Sequence, residues 1–306
     1  MFMVVFYTIN EYKKLYALNY FAKKFKPNEY TIIAGDSHTE TSLNPDYIQN
    51  SVNISESAES YVFTYYKLKY LISHKRESIK NVILGFSYQN LTKKYQELTF
   101  YDDAKSNRFI GKNYIFLDDA GKDAIKHSDN YLLYYIKNDL GVPVQAYKDF
   151  PLYKSIIYTK ILGRPATQTD LFVNSGFHGK TGSVLDKGGA TYKIKLYYYE
   201  DNLEVSGVSS VMRDYLNKIV DMCVENNITL YLYNSPVYRE YKKHIPEPVV
   251  NDYNEIKKEI LSKHQNVKYI DMSDYALNVS DYYDGDHLVL SGATKASIEV
   301  DKLIGK

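Results

Sequence analysis

Two short stretches carry residue types that could do chemistry together. In "YTIIAGDSHTE", a serine, Ser37, stands where a run of strand formers breaks at Gly35. In "DGDHL", Asp284-x-x-His287 spaces an acid and an imidazole about one turn of chain apart. The carboxylate can fold back onto Nδ1 of the same ring, leaving Nε2 free to take a proton from a serine. Nucleophile, base and orienting acid are the three parts of acyl transfer through a covalent intermediate. The competing reading of Asp36-Ser37 is an N-cap pair that only closes a strand-to-helix turn.

Of the seven histidines, His74, His127, His244 and His264 sit beside Lys, Asp or Ser in polar segments. His178 lies in the Gly-rich "NSGFHGKTG", as a loop residue or a substrate contact. His38 neighbours Ser37 directly, so it points away from that hydroxyl and reads as part of the site wall. Asp36 is read with it as a substrate-side residue.

These residues need a scaffold with loops at one end of a sheet. Thr31 to Ile33 read as a first short buried strand, and Val52 to Ile54 as a second. "NVILGFS" is nearly all apolar, as expected of a central parallel strand. "NITLYLYNS" and "VKYIDMS" add two more. Helical spacing fills "AESYVFTYYKLKYLISHK", the stretch around Cys223, "VVNDYNEIKKEILSKH" and a last helix starting near Ser291. Strands alternating with helices predict a three-layer α/β/α fold, flavodoxin-like, with a parallel sheet of about five strands. Residues 91–204 break the alternation with dense Gly, Asp and Asn. They are expected to form a mostly helical inserted subdomain or cap, with helices around residues 122–138 and 150–162.

The chain has 306 residues, enough for a sizeable core, and a net charge of only +1 with 25% charged residues. Nothing in that balance points to nucleic acid or to an anionic surface. A single Cys excludes an intramolecular disulfide and a thiolate metal cluster. The 34 Tyr with no Trp supply flat faces and hydroxyls suited to sugar rings, but compositional bias is the favoured account of them. The apolar "MFMVVFY" is far short of the roughly 20 residues that span a bilayer and lacks the charged start of a secretory signal. It reads as a strand or as the end of a membrane segment.

A first strand ending in "GDS" and a late "DxxH" before a C-terminal helix resemble the SGNH/GDSL hydrolase superfamily. "GDSHTE" and "DGDHLVLSGA" are most similar to the branch holding cell-envelope O-acetyltransferases and D-alanyl transfer proteins. The resemblance covers residues 1–90 and 205–306. It implies Ser37 as nucleophile, Asp284 as orienting acid and His287 as base. It also implies an oxyanion hole built from the Ser37 N–H, a glycine after the second strand and an asparagine after the third. Asn90 in "LGFSYQNL" answers to the asparagine. The glycine is replaced by "SESAES", where Ser57 or a neighbour would supply the N–H.

The expected activity is therefore that of a serine esterase or O-acyltransferase on small acyl esters, acetyl foremost, of a bacterial cell-surface glycan. No metal or organic cofactor is expected. The expected partners are an acylated carbohydrate or small ester and membrane-associated glycan-assembly proteins, with no nucleic acid. The alternative is a domain of the same fold without turnover that holds a polysaccharide or an assembly partner.

Overall fold

The apolar run Tyr30–Ala34 forms β1, buried along its whole length. The structure, a computed structural model, describes residues 30–101, 110, 113–128, 131, 132, 135, 176–185 and 188–305. After β1 come α1 (Ser37–Ser42), β2 (Ser51–Asn53), α2 (Tyr61–Lys75) and β3 (Ile79–Gly85). The short helices α3 (Lys93–Gln96), α4 (Asp119–Ala124) and α5 (Tyr192–Tyr198) precede α6 (Ser210–Glu225) and β4 (Thr229–Asn234). The chain continues through α7 (Arg239–Lys243), α8 (Glu247–Lys263), β5 (Val267–Asp271) and α9 (Leu290–Ile304).

The five strands make one parallel sheet in the order β2-β1-β3-β4-β5. Successive side chains of a strand point to opposite faces, and the core divides accordingly. Ile32, Val82, Leu84, Leu230 and Leu232 pack on one side with Phe63 of α2, Leu216 of α6 and Ile256 of α8. Ile33, Ile83, Tyr231 and Tyr233 pack on the other with Ala296 and Val300 of α9. This is the expected three-layer α/β/α arrangement with five parallel strands. The order reverses beside β1, so the carboxyl ends of β1 and β3 frame a switch point where such sheets take ligands.

The stretch expected as an inserted subdomain or cap packs on the sheet domain at several described points. Phe100, Ile110, Tyr114, Phe116, Leu117 and Ile125 belong to the same core cluster as α2 and α6. Its entry and exit lie side by side, with Ser209 N–H donating to Leu91 O at 2.8 Å and Lys93 N–H to Gly207 O at 2.9 Å. Of the helix expected over 122–138, α4 (Asp119–Ala124, N-capped by Asp118) covers only the first three residues and the chain turns at 125–128; most of the remainder lies outside the described residues. The helix expected over 150–162, and the "MFMVVFY" segment, lie outside the described residues. Among the described residues, no helix is long and apolar enough to cross a membrane.

Candidate active site

The break after β1 is forced by geometry. Gly35 has φ +139, and a Cβ there would stand 2.8 Å from Thr39 Oγ1 and 3.1 Å from the Gly85 Cα. Only glycine lets β1 and β3 end this close together while the chain turns. Asp36 then caps α1, accepting from the His38 N–H at 3.0 Å. Ser37 is thereby the first residue of the helix, its N–H among those with no preceding turn to bond to. An N–H so placed is available to a developing oxyanion.

The loop before α9 presents the partner groups. Asp284 Oδ1 accepts from the backbone N–H of Asp286 at 3.1 Å and of His287 at 2.9 Å, which folds the loop around the carboxylate. The same oxygen lies 2.9 Å from His287 Nδ1. Tyr283 N–H donates to His287 O and Val289 N–H to Asp281 O, both at 2.9 Å, fixing the loop as a small closed unit. The imidazole is buried, and its Nε2 lies 2.8 Å from Ser37 Oγ. The structure thus brings Ser37, His287 and Asp284 together in hydrogen-bonding order.

More charge surrounds the ring than Asp284 alone. Asp286 Oδ1 is 3.2 Å from His287 Nδ1, and its other oxygen is 2.9 Å from His38 Nε2. Lys193 Nζ reaches Asp286 at 2.7 Å, Asp284 at 3.0 Å and His287 Nδ1 at 2.7 Å. Burial opposes ionisation of Asp286, but His287 and Lys193 outweigh it and hold the carboxyl well below the usual range. Burial also opposes protonation of His287. The Asp286 charge and the bond from Asp284 exceed that penalty even with Lys193 acting against them, so the imidazole pKa is raised.

Behind the site, Asp36 is 2% exposed and serves as a hub. Its Oδ2 accepts from Tyr95 OH at 2.7 Å, Asn90 Nδ2 at 2.8 Å and Gln89 Nε2 at 3.2 Å. Burial works against its charge, yet His38 and these donors hold its pKa below the ordinary value. His38 is equally buried, between Asp286 and Gln89 Nε2, which is 2.7 Å from its Nδ1. The reading of Asp36 and His38 as substrate-side residues is corrected by these surroundings. Both are enclosed by protein groups that use their polar atoms.

Asn90 lies in the 3-10 turn Tyr88–Leu91 that follows β3. Its carbonyl accepts from the Ser87 N–H at 2.8 Å, and one amide N–H goes to Asp36. Ser57 lies beyond β2 with its hydroxyl donating to Glu40 Oε2 on α1. His178 N–H donates to Glu40 O at 2.9 Å, and Gly176 N–H to Ser55 O at 2.8 Å. Leu290 N–H in turn donates to Lys180 O at 3.0 Å, so residues 176–180 run from the β2 end to the start of α9.

His38, Asp286 and His287 hold ligand-type atoms within 4.8 Å of one another, the one such group among the described residues. All three are committed to hydrogen bonds, and an ion among them would meet the Lys193 ammonium. The cluster is a network of paired charges rather than a cation cage.

Sequence reasoning missed Lys193, Gln89 and Tyr95, and passed over Asp286. The adjacency of Asp286 to His287 in "DGDH" was a usable signal. Lys193 sits in "GGATYKIKLYYYE", where nothing in spacing or composition marks it.

The fold and the site geometry define an α/β protein with a Ser-His-Asp constellation at the carboxyl ends of its strands. The model of an uncharacterised family matches residues 198–306. That span holds Asp284, Asp286 and His287 but neither Ser37 nor Lys193. No curated protein matches the chain.

Proposed function

We propose that this protein is a serine esterase or O-acyltransferase that acts on small acyl esters, acetyl foremost, of a bacterial cell-surface glycan. The observation that carries the reading is the 2.8 Å contact between Ser37 Oγ and His287 Nε2, with Asp284 at the far side of the ring. Ser37 attacks the ester carbonyl as His287 takes its proton, and Asp284 holds the imidazole with Nδ1–H toward it. The oxyanion forms beside the Ser37 N–H at the start of α1, where the helix end favours negative charge. His287 then returns the proton to the departing sugar oxygen. Water or a second sugar hydroxyl reverses the steps and frees the enzyme. None of these steps requires a metal or an organic cofactor.

The acetyl group, the glycan and the cell-envelope setting, with membrane-associated assembly proteins as neighbours, rest on the resemblance of the "GDS" and "DxxH" motifs. One observation favours the second reading, a binding module without turnover. Asn90 spends its carbonyl and one N–H on Ser87 and Asp36, which ties down the side chain expected to serve the oxyanion. The two readings separate on p-nitrophenyl acetate. Release of nitrophenol that Ser37→Ala abolishes supports the enzyme. Equal release by wild type and Ser37→Ala, together with polysaccharide binding, supports the module.

A further inference from the structure

Two carboxylates, Asp284 and Asp286, face one ring nitrogen of His287. Left alone, two adjacent negative charges would stabilise the imidazolium strongly and push the pKa of the ring further up. A protonated imidazole cannot accept the serine proton. Something must offset one of the charges, and the buried ammonium of Lys193 stands where it can.

We propose that Lys193 is a positioning residue for His287: its ammonium bridges the Asp284 and Asp286 carboxylates, assigns Asp284 to Nδ1 and offsets the second negative charge beside the ring. This rests on the esterase reading for its catalytic consequence. Its geometry is the bridge, 3.0 Å to Asp284 and 2.7 Å to Asp286, with Nζ also 2.7 Å from His287 Nδ1, so Nδ1 keeps its hydrogen toward Asp284 only while the ammonium spends its own hydrogens on the two carboxylates. The side chain is 8% exposed, so solvent screens these contacts little. Burial disfavours its charge, but Asp286 and Asp284 more than compensate and raise its pKa, keeping it an ammonium.

The placement has two further marks of construction. Lys193 lies in the first turn of α5, where the helix dipole disfavours a cation, so the helix does not account for it. The segment leading to it is fastened to the catalytic loop. Val184 N–H donates to Tyr283 O at 2.7 Å, and Gly285 N–H to Gly189 O at 3.0 Å. A Cβ on Gly285 would stand 2.1 Å from Ala190 O, so only glycine at 285 lets this segment seat.

The charge balance follows. With His287 neutral, the four groups Asp284, Asp286, Lys193 and His287 carry one net negative charge; with His287 protonated they carry none. The surroundings therefore favour the imidazolium formed as Ser37 attacks, and Lys193 lessens that preference. Among the described residues, the other titratable groups around the cluster include the buried Asp36, whose charge acts on His38, His38 itself, edge-on to His287 at 5.2 Å between ring centroids, and the tyrosines 95, 192, 197, 198 and 241. Burial raises the pKa of each of these tyrosines, which keeps their hydroxyls neutral.

The test reads the His287 ring by ¹⁵N NMR across pH in wild type, Lys193→Met and Lys193→Arg, beside pH profiles of p-nitrophenyl acetate turnover. The expected result is an upward shift of the His287 titration in Lys193→Met that Lys193→Arg reverses. The acid limb of kcat/KM moves with it, with roughly tenfold lower activity at neutral pH that returns at alkaline pH. An unchanged or lowered His287 titration in Lys193→Met overturns the proposal. Should that variant not fold, the wild-type spectrum decides. Neutral His287 protonated on Nδ1 supports the assignment, and a ring protonated on Nε2, with Nδ1 accepting from Lys193, overturns it. An upward shift without any Ser37-dependent turnover keeps Lys193 in this role and sinks the esterase reading instead.

Discussion

Ser37 Oγ stands 2.8 Å from His287 Nε2, on the side of the ring opposite Asp284. The two nitrogens thus face different partners, and a proton taken at one side is balanced by a carboxylate at the other. Replacing either end should therefore remove the same function. Ser37→Ala and His287→Ala are each expected to lose about 10⁴- to 10⁶-fold in kcat on an activated acetyl ester, and the double variant little more. Losses that add in the double variant would mean the two side chains do not act as a unit.

The two ends of this pair were legible because each carries a local signature. Ser37 follows an apolar strand broken by glycine, and His287 follows an acid at a spacing that closes one turn. The strands were legible for a related reason: runs such as Val82 to Leu84 are buried on both faces and so are apolar throughout. Lys193 was not legible, since it meets His287 across 94 residues of chain and local patterning carries no trace of that contact. Asn90 stands in the turn after β3, and its ties to Asp36 and Ser87 depend on how β1 and β3 lie side by side. The attachment of Phe116 and Ile125 to the α2 side of the core was hidden by the turn-rich composition around them.

The pH dependence follows from the direction of the His287 shift. Activity needs the neutral ring, and the raised pKa moves its appearance upward. The acid limb of kcat/KM should therefore have its midpoint above the ordinary histidine value of about 6.5. A midpoint at or below that value in the wild type would contradict the carboxylate-rich setting of the ring.

Asp36 should matter for stability as much as for shape. Asp36→Ala removes the α1 cap and leaves Tyr95, Asn90 and Gln89 without their buried acceptor. A loss of about 2–4 kcal/mol is expected in denaturant unfolding. The lowered pKa gives the pH sign. The ionised folded state is favoured above the unfolded value of about 3.9, and that stability is lost as pH falls through the folded pKa. Asp36→Ala should flatten this acid dependence, and an unchanged acid transition would refute the hub.

Gly35 should tolerate nothing larger. Gly35→Ala places a methyl against Thr39 and the Gly85 backbone at a φ of +139. A destabilisation of about 1–3 kcal/mol is expected, with a fall in kcat because Ser37 is two residues away. Unaltered unfolding in this variant would show that β1 and β3 do not need the close approach.

The proposed mechanism requires Ser37 to carry the acyl group. Rapid mixing with p-nitrophenyl acetate, acid quenching and peptide mass analysis reads this directly. The expected result is one acetyl group on the peptide that contains Ser37, absent in Ser37→Ala and strongly reduced in His287→Ala. A wild-type enzyme that turns over the ester with Ser37 unmodified at every quench time, or with the same labelling in His287→Ala, would contradict the proposed mechanism.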